Sequence, residues 1–233
     1  MGNYLSAKQQ ILKVSQELVN SGYLAGTGGN LSIRVRGENV LAITPSNLDY
    51  TQMNVDDVCV YTFDKEKVEG EAKPSIEMGM HIAVYKQRQD VRCVIHSHQV
   101  YASALALIGE PIPALFDEQV RFLGRSVEIV PYAPSGTGFL VRKIASALKN
   151  NHNAYILKNH GALCLGSSCE RAMSNLLLLE KCALAYLLVL CTGKNAKNIP
   201  IAVREIAFAK LRADQKKTEK LLSTMINQES VNE

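Results

Sequence analysis

Four side chains in this sequence could together carry metal-assisted acid–base chemistry: His96, His98, His160 and Glu77. His96 and His98 close the run Val91-Arg92-Cys93-Val94-Ile95-His96-Ser97-His98. The run reads as a short apolar strand, and side chains two apart on a strand share a face. Two imidazoles so placed are suited to grip one metal ion. His160 follows a second apolar strand, residues 154–157, inside Lys158-Asn159-His160-Gly161. Three neutral imidazoles with an open fourth position describe a catalytic rather than a structural zinc site. The same spacing also fits polar residues at a strand end with no metal, and spacing alone leaves both readings open. Glu77 lies in Lys73-Pro74-Ser75-Ile76-Glu77, at the start of a helical stretch. A carboxylate in a first helical turn needs no further role; facing a metal, it would be a ligand or general base. His81, one turn on and on the same face, could be a fourth imidazole ligand, but a structural histidine hydrogen-bonded in the core is expected.

The elements around these residues follow from periodicity. Ser6, with Gln9, reads as a capping box opening a helix to about residue 20. Ile11, Val14 and Leu18 form its apolar stripe. Gly26-Thr27-Gly28-Gly29-Asn30 precedes an alternating strand over 31–36. Such glycines let backbone amides converge on an anion, although a simple tight turn uses them as well. A strand over 40–43 ends at Thr44-Pro45-Ser46-Asn47, so two polar strand-end loops could share one phosphate. A strand over 58–63 and a charged loop over 64–72 follow, then a helix opened by Pro74 and running to about residue 88. Further helices are predicted over 100–108, up to 148, over 168–191 and from 201. Strands are predicted over 127–131, 154–157 and 162–165, and 193–200 is the most linker-like piece. Asp117-Glu118 reads as a solvated acidic pair. Hairpin-like strand pairs mix with helices without strict βαβ alternation. That argues for a mixed or antiparallel sheet flanked by helices in one domain.

Composition narrows the class. The chain has 233 residues, 47% hydrophobic and 21% charged, which is ordinary for a soluble globular domain with a full core. The net charge of +4 is dispersed apart from Lys216, Lys217 and Lys220. No basic stripe interleaves with aromatics, so no nucleic-acid partner is expected. The six cysteines form no CxxC pair and mostly sit in apolar runs. With no secretory signal, they are expected to be reduced thiols in the cytoplasm. The most apolar run, 176–190, carries Glu180 and Lys181 and is short for a span, so a buried helix and no membrane partner are expected.

Taken in order, Gly26-Thr27-Gly28-Gly29-Asn30-Leu31-Ser32, Ile43-Thr44-Pro45-Ser46, Lys73-Pro74-Ser75-Ile76-Glu77, His96-Ser97-His98, Pro131-Tyr132-Ala133, Gly136-Thr137 and Asn159-His160-Gly161 resemble the class II aldolase/adducin family. That family includes L-fuculose-phosphate aldolase and L-ribulose-5-phosphate 4-epimerase. The resemblance implies a single α/β/α sandwich over 1–233 with a mostly antiparallel central sheet. It implies one zinc, or another divalent transition metal, per subunit on His96, His98 and His160, with Glu77 as acid/base. It implies a cytoplasmic homotetramer with active sites between subunits. A phosphorylated sugar would rest against Gly29, Asn30, Ser46, Asn47 and Ser75. The reaction implied is cleavage of a ketose 1-phosphate to dihydroxyacetone phosphate and an aldehyde through an enediolate. The same site also suits an epimerase, a dehydratase or a decarboxylase. A non-enzymatic, adducin-like interaction module is the alternative of another class, but adducin heads have lost the histidines that this chain keeps.

Three departures bear on substrate. Ile76 stands where aldolases and epimerases of the family have a second serine, which removes a phosphate hydrogen bond worth about 1 kcal/mol. The second loop carries Ser46-Asn47 in place of a Thr-Gly or Ser-Gly pair. The aldolase tyrosine that donates a proton across the interface is replaced near Asp117. Epimerases of the family carry Asp at the Glu77 position, so Glu77 points away from that member.

Overall fold

The structure, a computed structural model, describes residues 2–229. Its centre is one eight-stranded sheet: β1 (Asn30–Arg34), β2 (Val40–Ile43), β3 (Cys59–Thr62), β4 (Lys67–Glu69), β5 (Cys93–Ser97), β6 (Glu128–Val130), β7 (Ala154–Leu157) and β8 (Gly161–Gly166). The order is β4-β3-β2-β1-β5-β8-β7-β6, and only β6 and β7 run parallel. Helices cover both faces. On one lie α1 (Gly2–Asn20), α3 (Val100–Ile108) and α6 (Cys169–Cys191); on the other lie α2 (Met78–Gln87) and α5 (Gly138–Ala147). Alternation along the strands sorts the two cores. Leu31, Ile33, Cys93 and Ile95 join the α1/α6 core, while Leu41, Ile43, Val94 and Leu163 join the α2/α5 core. The expected α/β/α sandwich with a mostly antiparallel sheet is the observed fold.

Two short-range expectations fail for identifiable reasons. Ser6 does not cap α1, which begins at Gly2 and carries Ser6 exposed in its second turn. The helix opened by Pro74 does not form at that point. Pro74 forms a bridge with Pro45 instead, tied by Ser46 N–H to Lys73 O (2.8 Å) and Ser75 N–H to Thr44 O (3.1 Å). Helix α2 therefore starts at Met78 and leaves Glu77 at its edge. The charged loop over 64–72 contains β4, whose three residues are all exposed. An edge strand with no buried face has no alternation to read, and its charges keep the edge from pairing further.

Helix α4 (Asp117–Phe122) was not foreseen. It packs through Val120 on Ala207, Phe208 and Leu211 of α7 (Ile201–Glu229). Asp117 and Glu118 are exposed in its first turn, where carboxylates suit the helix dipole. By length and composition α6 could cross a membrane. Here its Ala172, Leu176, Leu179, Cys182 and Ala183 are buried against the sheet. Its Glu180 carboxylate accepts the N–H groups of Tyr101 (2.8 Å) and Ala102 (3.0 Å) in the first turn of α3. All six cysteines are free, and five are buried.

Two buried histidines set an acid-stability expectation. Burial, and the nearby Arg125 and Arg88 cations, push His152 down to about 4. Burial and the neighbouring His96 push His81 down to about 3. An unfolded histidine titrates near 6.5. Between that value and about 4 the unfolded chain binds protons that the folded chain refuses, so stability rises with pH across this window. Urea midpoints should fall between about pH 6.5 and about pH 5, above the range where carboxylates titrate. Equal midpoints at the two pH values would show that these rings do not stay neutral.

Candidate metal centre and active site

The centre sits where β5 ends. His96 and His98 leave the strand two residues apart and, as alternation requires, on one side. The pairing of β5 with β8 sets Ser97 opposite Ala162 and carries the β7–β8 turn, with His160, to the same edge. One ligand nitrogen from each of the three rings lies within 4.8 Å of the others. The Nε2 atoms of His96 and His98 are 3.1 Å apart. Zn–N bonds of ~2.0–2.1 Å at a tetrahedral angle separate two nitrogens by about 3.3 Å.

Two glycines make this approach sterically feasible. A methyl group on Gly161 would lie 2.5 Å from the Ser97 carbonyl oxygen and 2.7 Å from the His98 ring. Gly29, at φ +77°, holds its backbone against the His96 carbonyl, 2.7 Å from where a Cβ would stand. Neither position tolerates a side chain without moving a ring-bearing strand.

Glu77 faces the imidazoles from the edge of α2. Its backbone (φ −92°, ψ 7°) lies in the sparsely allowed bridge region. Oε2 is 3.2 Å from His96 Nε2, and Oε1 is 3.4 Å from His160 Nε2. The carboxylate also accepts Asn30 Nδ2–H (2.8 Å) and Ser135 Oγ–H (2.7 Å). Burial raises its pKa, but the His96 and His160 imidazoles and these two donors outweigh that and hold it at about 2. Burial pushes His96 down to about 4, against the pull of Glu77. Burial and the His160 ring lower His98. At neutral pH the site therefore offers an anion beside the neutral rings of His96 and His98.

The donor set fits a cation. The His96 Nδ1–H donates to the Ala162 carbonyl (2.8 Å), which can only accept. The His96 Nε2 is then a bare lone pair, and what faces it at 3.2 Å is a carboxylate oxygen, also an acceptor. Two acceptors in contact call for a positive charge between or beside them. The Ala162 carbonyl is the kind of outer partner that fixes the tautomer of a metal-binding imidazole.

The other residues expected at the site divide. Ser75 is buried, and its Oγ accepts the Glu77 N–H (3.2 Å). Ser46 and Asn47 lie beside it on the loop bridged to Pro74, with Asn47 in the left-handed region at φ 58°. The Gly29 carbonyl accepts Tyr50 Oη–H (2.7 Å). Asn30 stands opposite His96 in the β1–β5 ladder, and its amide is spent on Glu77 and His81. His81 is a core residue rather than a ligand, as expected, bonded to Asn30 and Ser32. Ser135 was missed. In the sequence it belongs to a glycine-rich loop before a helix, and only the fold brings that loop to Glu77.

Comparison with known proteins agrees with this geometry. Residues 9–187 match the family model described as Class II Aldolase and Adducin N-terminal domain. A 5-deoxy-D-ribulose 1-phosphate aldolase of Bacillus thuringiensis is 33% identical over 179 residues, 77% of this chain and 83% of that one. An L-fuculose phosphate aldolase of Escherichia coli is 32% identical over 165 residues, 71% and 75% of the two chains. A solved L-fuculose 1-phosphate aldolase superposes with a TM-score of 0.83 at 33% identity, covering 89% of this chain and 96% of that one. With three imidazoles, a buried carboxylate and the ordered motifs on one scaffold, the chain belongs to the class II aldolase and adducin family.

Proposed function

We propose that this protein is a zinc-dependent sugar-phosphate aldolase that cleaves a ketose 1-phosphate to dihydroxyacetone phosphate and an aldehyde. The observation that carries the reading is the ionised Glu77 carboxylate, 3.2 and 3.4 Å from two of three convergent histidines. His96, His98 and His160 would hold the ion, which supplies Lewis acidity to the carbonyl and neighbouring hydroxyl oxygens of the sugar. In the condensation direction Glu77 takes a proton from the hydroxymethyl carbon of dihydroxyacetone phosphate, and in cleavage it returns one to that carbon. The Asn30 and Ser135 donors hold the carboxylate between these acts. The phosphate is assigned to the meeting loops of Gly29, Ser46, Asn47 and Ser75, with Asn30 serving Glu77 instead. A single domain is supported by one sheet that takes strands from residue 30 to residue 166. A homotetramer would cover the exposed Val100, Leu107 and Ile108 of α3 and Leu188 of α6.

One observation favours sister chemistry on the same site. Ile76, in place of a serine, is 67% exposed and packs at Gly136, so it offers an apolar surface where the resemblance expects a hydroxyl. The test is release of dihydroxyacetone phosphate from L-fuculose 1-phosphate, 5-deoxy-D-ribulose 1-phosphate and related ketose 1-phosphates, with zinc-loaded protein and a chelated control. Metal-dependent release from at least one sugar is expected. No release from any of them by fully loaded protein would reject the aldolase and move the search to epimerase, dehydratase and decarboxylase substrates.

A further inference from the structure

Strand β1 and helix α2 meet through two interleaved periodicities. Asn30 and Ser32 share a face of β1, and Glu77 at the edge of α2 is followed at four-residue intervals by His81 and Tyr85 within it. Side by side they form one buried chain of polar contacts. Tyr85 Oη lies 2.8 Å from Ser32 Oγ, and Ser32 Oγ lies 2.6 Å from His81 Nδ1. His81 Nε2 lies 2.5 Å from Asn30 Oδ1, and Asn30 Nδ2 lies 2.8 Å from Glu77 Oε2. Ser32, His81 and Tyr85 are wholly buried, and Asn30 and Glu77 nearly so.

The direction of these bonds is set from the Glu77 end. An ionised carboxylate only accepts, so the Asn30 NH2 must face it and the Asn30 Oδ1 must face His81. His81 Nε2 must then carry the proton, and Nδ1 must accept from the Ser32 hydroxyl. Tyr85 completes the chain, its Oη–H donating to the Ser32 carbonyl (2.9 Å) or to Ser32 Oγ. Burial keeps the His81 ring neutral, as a link with one donor and one acceptor requires. If the imidazole were lost, the Asn30 amide could turn its oxygen toward the carboxylate.

We propose that His81 is a positioning residue for the reaction: through Asn30 it locks the Glu77 carboxylate toward His96 and His160. The inference rests on the reading of Glu77 as acid/base, and it needs one readout that does not depend on turnover. His81→Leu should lower kcat by about 10–100-fold, as loss of an outer partner typically does. KM for the sugar phosphate and bound metal should stay near native. His81→Gln offers an N–H donor and an acceptor in similar places and should restore most of the lost kcat. In a Glu77→Gln background, His81→Leu should cost nothing further, because both changes act on one group. The Asn30 side-chain amide, followed by NMR in metal-free protein, should be slow to exchange. That protection should be lost in His81→Leu. Ser32→Ala, a smaller change, should weaken the same protection and lower kcat about 3–10-fold. Equal losses in His81→Leu and His81→Gln, or full additivity with Glu77→Gln, would overturn the proposal. Unchanged Asn30 protection in both His81→Leu and Ser32→Ala would overturn it whatever the substrate proves to be. Failure of the aldolase assay alone would leave the NMR result standing.

Discussion

Glu77→Gln is expected to lower kcat by about a thousandfold while leaving the fold and the bound metal in place. A positioned acid/base contributes typically 10²–10⁴-fold, and Glu77 is the carboxylate that faces two of the three imidazoles, His96 and His160. The fold should survive because glutamine fits the same contacts. Its Oε1 can accept from Asn30 as Oε2 of Glu77 does, and its NH2 can donate to Ser135, whose hydroxyl turns from donor to acceptor. What is lost is the negative charge and the ability to carry a proton. The check is steady-state kinetics beside metal analysis and a thermal melt. Near-native kcat with full metal content would remove Glu77 from the acid/base role.

His98→Ala is expected to abolish stoichiometric zinc binding and, with it, activity. His98 is the most exposed of the three rings, so its removal disturbs packing least and tests coordination most directly. Two protein imidazoles then remain, and affinity should fall by more than the 10–100-fold typical of losing an outer partner. Ligand imidazoles must be unprotonated, so native affinity should fall as pH drops through their titration. Burial lowers the pKa of His96 and His98, which leaves them available to metal at neutral pH. Metal content after dialysis is the measurement. Retained zinc at one per chain would take His98 out of the ligand set.

Much of the scaffold was legible from local rules. The strands that lead to His98 and His160, the α3 boundaries and the long α6 helix follow from periodicity, and the structure adds a cap on α6, Ser168 Oγ accepting the Arg171 N–H (3.2 Å). The α1 start misled because Ser6 and Gln9 imitate a capping box inside a helix that is already running. The α2 start misled because Pro74 has two uses, helix start and bridge. The Thr44 carbonyl and the Ser46 N–H, both distant in sequence from Pro74, chose the bridge.

By itself the sequence determined what depends on neighbours along the chain. That includes two imidazoles on one face, a carboxylate near a helix start, alternating strands, and an ordered set of motifs that marks the family. The tertiary structure alone decided which distant groups meet. The β5–β8 register brings His160 to His96, and the packing of β1 on α2 turns Asn30 and His81 into supports for Glu77. Ser135 reaches the carboxylate from a loop that is only a turn when read alone. Side-chain direction on a strand is a local consequence of backbone geometry. Strand register and helix docking are set by burying two whole cores at once, which no short window of residues contains.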